Sequence, residues 1–165
     1  MKKMRILLVC TGNTCRSPLA EIIMKDEASR MRLRNLVITS AGTAAIAGAH
    51  ASENAKKAAR TLGLSLSGFR SKPVTERRVK LADLILTMTK DQKQEIISRW
   101  QEAGEKTFMI SEFSGSGRRT IEDPLGGPLD LYLDLVAKLR DESRRVLRKI
   151  SRLKKSKHRG KLLRR

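Results

Sequence analysis

Short apolar runs alternate with longer amphipathic stretches along the chain. Ile6-Leu7-Leu8-Val9 is continuously apolar, the pattern of a strand buried on both faces of a parallel sheet. Cys10 to Arg16 interrupts it with Gly and Asn. Ser17 as N-cap, Pro18 as first helical residue and an apolar face of Leu19, Ile22, Ile23 and Met24 then predict a helix. Leu36-Val37-Ile38-Thr39 predicts a second strand, closed by Ser40-Ala41-Gly42. Ser52 to Leu62 reads as a helix with Ala55, Ala58, Ala59 and Leu62 inward and Gly63 as its stop. Asp83 to Met88 predicts a strand around Leu84-Ile85-Leu86, and Asp91 to Glu102 the helix after it. Lys106 to Ile110 is a fourth short strand, and Ser111 to Thr120, rich in Ser, Gly and Arg, a loop. From Pro128, apolar residues from Leu129 to Leu153 recur at three- and four-residue spacing, a long amphipathic helix.

Strands alternating with helices predict an α/β domain of three layers built on a parallel sheet. No internal repeat or interdomain linker interrupts residues 1–153. The remainder, 154–165, reads as a basic, disordered tail.

Composition narrows the classes of function. The 165 residues carry 36 Lys and Arg against 17 Asp and Glu, a formal net charge of +19. Residues 138–165 alone hold fourteen Lys and Arg and two acids, net +12, so most of the excess is concentrated at the end of the last helix. That end is a candidate contact for nucleic acid or another anionic surface. Aromatic residues make up only 3%, too few for a base-stacking platform. Two cysteines, Cys10 and Cys15, do not form a disulfide framework, which suggests a cytoplasmic protein. No apolar run reaches the ~20 residues that span a bilayer. The stretch after Met1-Lys2-Lys3-Met4-Arg5 is too short for a secretory signal.

The chemistry concentrates in Cys10-Thr11-Gly12-Asn13-Thr14-Cys15-Arg16-Ser17, between the first strand and the first helix. In open α/β sheets, ligands bind outside the carboxyl ends of the strands. A loop there turns successive backbone N–H groups inward as an anion nest, helped by the helix N-terminus. Gly12 permits unusual backbone angles, and Asn13 tolerates the left-handed region. Arg16, six residues after Cys10, brings a guanidinium fork to two phosphate oxygens while Cys10 lies beneath the phosphorus. The same positive field favours a thiolate at Cys10, and Ser17 can donate its hydroxyl to that sulfur. The expectation is a nucleophile aimed at phosphorus. A Walker-type nucleotide loop is excluded, because its Gly-Lys-[Ser/Thr] element is missing.

At these residues the chain resembles the low-molecular-weight protein phosphatases, with their Cys-x5-Arg-[Ser/Thr] loop and a later Asp-Pro pair, here Asp123-Pro124. Ser40-Ala41-Gly42-Thr43 is similar to the family's segment after the second strand, where the serine supports the loop asparagine. The resemblance covers about residues 4–153. It implies a flavodoxin-like fold with four parallel strands in order 2-1-3-4. It also implies that Cys10 forms a cysteinyl-phosphate, that Arg16 holds the phosphoryl oxygens, and that Asp123 serves as acid and then base. No metal or other cofactor is expected, and the protein is expected to act as a monomer on phosphorylated proteins. Read alone, Asp123 would be a turn or cap residue.

Within the family, Cys-Thr-Gly-Asn-Thr-Cys-Arg-Ser resembles the bacterial protein-arginine phosphatases. In that subgroup the position of Thr14 filters against phosphotyrosine, and the position of Asp123 contacts the substrate guanidinium as well. The run directly after the pair, Leu125-Gly126-Gly127, offers no aromatic to stack on a phenyl ring; Leu125 stands where the subgroup tends to carry Phe. Thr11, Gly12, Asn13, Thr14, Cys15, Ser17 and Leu125 are therefore the expected substrate-binding residues, with Ser40 in support. Phe69 replaces a histidine that many members carry behind the loop. Cys15 is either a small packing residue or a partner that captures oxidised Cys10 as a disulfide. His50 and His158 read as surface or tail residues, and Trp100 as a packing residue at a helix end.

Overall fold

The computed structural model describes residues 2–162, with side chains described as far as Ser156. Strand β1 (Met4–Cys10) is the apolar centre of the sheet. It pairs in parallel with β2 (Leu36–Gly42) on one side and β3 (Leu84–Thr87) on the other. β4 (Thr107–Met109) pairs with β3, giving the order β2-β1-β3-β4. This is the expected doubly wound arrangement. The period of two along β1 sends Ile6, Leu8 and Cys10 to one face and Leu7 and Val9 to the other. The first face packs under α1 (Arg16–Arg30), α2 (Glu53–Arg60) and α6 (Leu129–Leu162). The second packs against Val79 of α3 (Glu76–Leu81) and Ile96 of α4 (Lys90–Arg99).

Several boundaries differ from the sequence reading, each for a local reason. Helix α1 begins at Arg16, with Cys15 in the N-cap position and no side-chain cap bond. Ser17 is not the cap, because its hydroxyl is drawn into hydrogen bonds with the loop before the helix. Helix α3 has Val79 as its one buried residue, too little apolar periodicity to be read from sequence. Helix α4 ends at Arg99 rather than Glu102. Trp100 leaves helical angles (φ −140°, ψ 86°) and packs at the edge of the second cluster, and a 3-10 turn spans Gln101–Lys106. The expected loop at 111–120 starts as a helix, α5 (Ile110–Ser114), because Glu112 accepts from the Met109 N–H and Gly115 ends the turn at φ 81°.

Helix α6 also runs past the boundary expected at 153, to Leu162. Its continuation is rich in Lys and Arg, good helix formers, and meets no glycine before Gly160 and no proline. The segment expected to be a disordered tail is therefore helical as far as the description extends. Residues 163–165 and the side chain of His158 lie outside the described residues. His50 is exposed, with Arg70 2.9 Å from its Nδ1.

Glu27 fastens α1 to α6. Its carboxylate is buried and accepts from Nε of Arg140 (2.7 Å) and Nε of Arg144 (2.9 Å). Burial pushes its pKa up, but the bonds from Arg144 and Arg140 outweigh this and hold it below the ordinary glutamate range. A lowered carboxylate pKa contributes stability that is present above the unfolded pKa and lost as pH falls through the folded one. Glu27→Gln is therefore expected to lower the thermal midpoint at neutral pH, with the difference from wild type shrinking under acid. A pH series of thermal melts checks this.

Candidate active site

The loop leaves β1 at Cys10 and enters α1 at Arg16, so it lies at the carboxyl edge of the sheet, flanked by the ends of β2 and β3. Asn13 is its hub. It is fully buried and adopts φ 52°, in the left-handed region that Asn tolerates better than most residues. Its Oδ1 accepts from the Lys72 backbone N–H at 2.8 Å, which fixes the orientation of the amide. Both amide hydrogens are then donors, to Ser17 Oγ at 2.8 Å and to Ser40 Oγ at 3.0 Å. Each hydroxyl, having accepted, directs its own proton onward. Ser40 donates to Glu21 Oε2 at 2.6 Å. Ser17 Oγ lies 2.9 Å from Cys10 Sγ and 3.5 Å from the Ala41 carbonyl, so the sulfur is the better acceptor. The Asn13 backbone N–H also points at Cys10 Sγ, at 3.3 Å.

Arg16 is buried and reaches across the molecule. One guanidinium nitrogen donates to the Ile121 carbonyl (3.2 Å) and the other to Asp123 Oδ2 (3.1 Å). The other oxygen of Asp123 accepts from the Leu125 N–H at 3.0 Å, closing an Asx turn that orients the carboxylate. Asn54 of α2 donates to the Gly127 carbonyl and ties the same loop to the body of the domain. On the opposite wall, Thr11 Oγ1 accepts from Gln92 Nε2 at 3.1 Å, while Gln92 Oε1 accepts the N–H groups of Met88 and Thr89. The Ser52 N–H donates to the Thr14 carbonyl.

Cys10, Thr11, Asn13, Thr14, Cys15, Arg16, Ser17, Ser40 and Asp123 are thus brought into one hydrogen-bonded assembly or its immediate loop. Leu125 enters it through its backbone; its side chain is 66% exposed. Gly12 does not use a left-handed angle: that demand falls on Asn13. The glycine the loop requires is Gly42, where a Cβ would lie 2.4 Å from the Thr11 carbonyl oxygen and 2.9 Å from the Asn13 nitrogen. Phe69 is partly buried against the main core, with the Lys72 ammonium 4.8 Å from its ring centre.

Glu21, Lys72 and Gln92 are supports that sequence reasoning missed. Glu21 alone left a signal, a carboxylate four residues after Ser17 and hence on the same helix face. Lys72 and Gln92 arrive from distant segments through a backbone N–H and a capping side chain.

Cys15 differs from Cys10 in environment. Both are free thiols. Burial, reinforced by the charges of Asp123 and Cys10, pushes the Cys15 pKa up to about 12. Among the described residues, no group of His, Cys, Asp and Glu is arranged to hold a metal ion, and no helix is long and apolar enough to cross a membrane.

The chain that carries this buried arginine, its aspartate partner and the hydrogen-bonded cysteine is similar to known proteins in sequence and in fold. Residues 5–159 match the family model of the low molecular weight phosphotyrosine protein phosphatases, and the chain belongs to that family of cysteine-based protein phosphatases. A protein-arginine-phosphatase of Bacillus subtilis is 37% identical over 149 residues, 90% of this chain and 95% of the relative. A low molecular weight protein-tyrosine-phosphatase of Acinetobacter johnsonii is 36% identical over 124 residues, 75% of this chain and 82% of that one. Among solved structures, YwlE arginine phosphatase as a mutant with a phosphorylated active site serine superposes with TM-score 0.86 at 34% identity. That match covers 90% of this chain and 96% of the other.

The close packing at Gly42 has a measurable consequence. A methyl group at this position meets backbone atoms of the loop, which have no rotamer by which to move aside. Gly42→Ala is expected to lower turnover of a generic phosphate ester at least tenfold while the far-ultraviolet circular dichroism stays that of the wild type.

Proposed function

We propose that the protein hydrolyses phosphoarginine in proteins through a cysteinyl-phosphate intermediate. The observation that carries this reading is the convergence of Cys10 Sγ, the Arg16 guanidinium and the Asp123 carboxylate, from opposite ends of the chain, around one anion-binding loop. Arg16 and the loop N–H groups bind the phosphoryl oxygens. Those oxygens compete with Asp123 for Arg16, which leaves the carboxyl group facing the leaving group. Cys10 Sγ, as thiolate, attacks phosphorus while the P–N bond breaks and Asp123 transfers its proton to the departing nitrogen. In the second half-reaction Asp123 takes a proton from water, whose oxygen attacks phosphorus. The S–P bond breaks and inorganic phosphate leaves. The Ser17 hydroxyl and the Asn13 N–H stabilise the sulfur's negative charge at both stages.

Phosphoarginine is favoured over phosphotyrosine by two features of the rim. Asp123 offers the carbonyl oxygen of its carboxyl group as an acceptor to the distal N–H groups of a phosphoguanidinium, while the proton on its other oxygen serves the departing nitrogen. No aromatic residue stands in Leu125-Gly126-Gly127, directly after Asp123-Pro124, to stack on a phenyl ring, and the Leu125 side chain is exposed. Relatives of both names exist, and Thr14, partly exposed in the loop, is the residue proposed to discriminate. Wild type is expected to turn over phosphoarginine peptides at least tenfold faster than phosphotyrosine peptides in kcat/KM. Thr14→Ile is expected to shift the ratio toward aryl phosphates, and Cys10→Ser to abolish both. Equal turnover of the two peptides, unchanged in Thr14→Ile, assigns the protein to the tyrosine phosphatases instead.

Cys15 gives the same site a route back from oxidation. Peroxide converts the Cys10 sulfur to sulfenic acid. The Cys15 sulfur then displaces its oxygen as water, giving a Cys10–Cys15 disulfide that a thiol reductant opens. The high pKa of Cys15 keeps it protonated near neutrality, so capture should accelerate as pH rises. Dithiothreitol is expected to restore most activity to peroxide-treated wild type and little to Cys15→Ala, with recovery greater when oxidation is performed at pH 9 than at pH 7.

A further inference from the structure

Three clefts lie end to end along one side of α6, beginning at Asp123. The first, of about 100 Å³, is acidic: Glu122, Asp123 and Asp134 line it with the single cation Lys138. Ile121 and Lys138 also line the second, of about 530 Å³, which opens onto Arg119 and Arg145. Gly115 and Arg145 carry it into the third, of about 460 Å³, walled by Arg148, Lys149 and Arg152. The track therefore changes sign along its length. Its basic part is only lightly neutralised. Arg145 pairs with Asp141 at 2.8 Å, and the Lys149 ammonium donates to the Phe113 carbonyl. Glu142 is occupied by the hydroxyls of Ser114 and Ser116. Arg119, Lys138, Arg148 and Arg152 have no ion pair among the described residues, and all four are exposed.

We propose that this track binds the polypeptide flanking the phosphorylated residue of a protein substrate, and selects substrates with acidic residues at a set distance from it. The inference rests on the phosphatase reading of the site. A peptide anchored by its phosphorylated side chain must leave past the rim, and the shared linings provide one continuous exit from Asp123. Charge decides the occupant. A nucleic-acid backbone carries negative charge at every step and would be repelled by Glu122, Asp123 and Asp134, whereas a peptide can place neutral or basic residues there and acids further out. The rise of an α-helix fixes the spacing. Arg145 lies about 16 Å and Arg152 about 27 Å along α6 from Asp134. With the backbone of the phosphorylated residue beside Asp134, which lines the same cleft as Asp123, an extended chain advancing about 3.3 Å per residue puts the acids about five to eight residues from it.

The test compares phosphopeptides carrying four glutamates at positions five to eight, on the amino or the carboxyl side, with matched glutamine peptides. The expected result is a KM about tenfold lower for one glutamate series, with kcat unchanged, as three exposed charge pairs would give. That preference should vanish in 0.5 M salt and in the triple variant Arg145→Gln/Arg148→Gln/Arg152→Gln. The variant should keep wild-type turnover of p-nitrophenyl phosphate, which shows that it folds and that the catalytic loop is intact. Equal KM for glutamate and glutamine peptides overturns the docking proposal and leaves the phosphatase reading standing. Loss of turnover on every phosphate ester by wild type overturns the phosphatase reading itself. Salt-sensitive binding of a 20-mer oligonucleotide, lost in the triple variant and not displaced by the glutamate peptide, assigns the surface to nucleic acid and likewise overturns the proposal.

Discussion

The site depends on one amide, the side chain of Asn13. The Lys72 N–H occupies its oxygen, so its two hydrogens point toward Ser17 and Ser40. That fixed direction decides where the hydroxyl protons go, one toward Cys10 and the other to Glu21. The residue also absorbs the loop's left-handed angle, so conformation and hydrogen bonding are set at the same position. Buried polar networks of this kind are useful only when every member is satisfied, because a buried orphan donor or acceptor costs about 1–3 kcal/mol. Here each donor of the chain meets an acceptor, and the network ends on a carboxylate at one end and a sulfur at the other.

A second constraint acts at long range. Arg16 sits at the start of α1, while Asp123 and Ile121 lie on the segment between α5 and α6. Their meeting requires that α6 be docked on α1, which the apolar stripe of Leu139, Val146 and Leu147 and the Glu27 clamp with Arg140 and Arg144 accomplish. Helix α6 therefore has two parts in one element. Its buried face positions the segment carrying Asp123, and its exposed face carries the basic residues that follow the clefts outward. Most of the formal charge of +19 thus lies away from the Cys10–Ser17 loop, where Arg16 is the single buried cation among the described residues.

Much of this was legible in sequence because it is local. The apolar run of β1 leads into a loop with cysteine and arginine six apart and then a helix with proline in its first turn, so the parallel sheet and the position of the loop could be read together. The residues that support the loop were harder to read. Lys72 contributes a backbone N–H, which has no residue signature, and Gln92 acts from a helix cap more than seventy residues away. Gly12 attracted attention because glycine permits unusual angles, yet the loop's steric demand falls on Gly42, across the sheet, where backbones approach too closely for a Cβ. Helix α3, with a single buried apolar residue, is stabilised by its tertiary surroundings rather than by a periodic pattern.

By itself the sequence determined the order of elements, the identity of the loop and the chemistry its residues can support, since hydrophobic period and short spacings are properties of neighbouring residues. Tertiary structure alone decided three matters. It set which way the Asn13 amide faces, brought Asp123 within 3.1 Å of Arg16, and laid basic residues of α6 along clefts that share lining residues with the one beside Asp123. Each depends on atoms tens of residues apart meeting at hydrogen-bond or contact distance, and that is fixed by the packing of helices on the sheet rather than by any local run of residues.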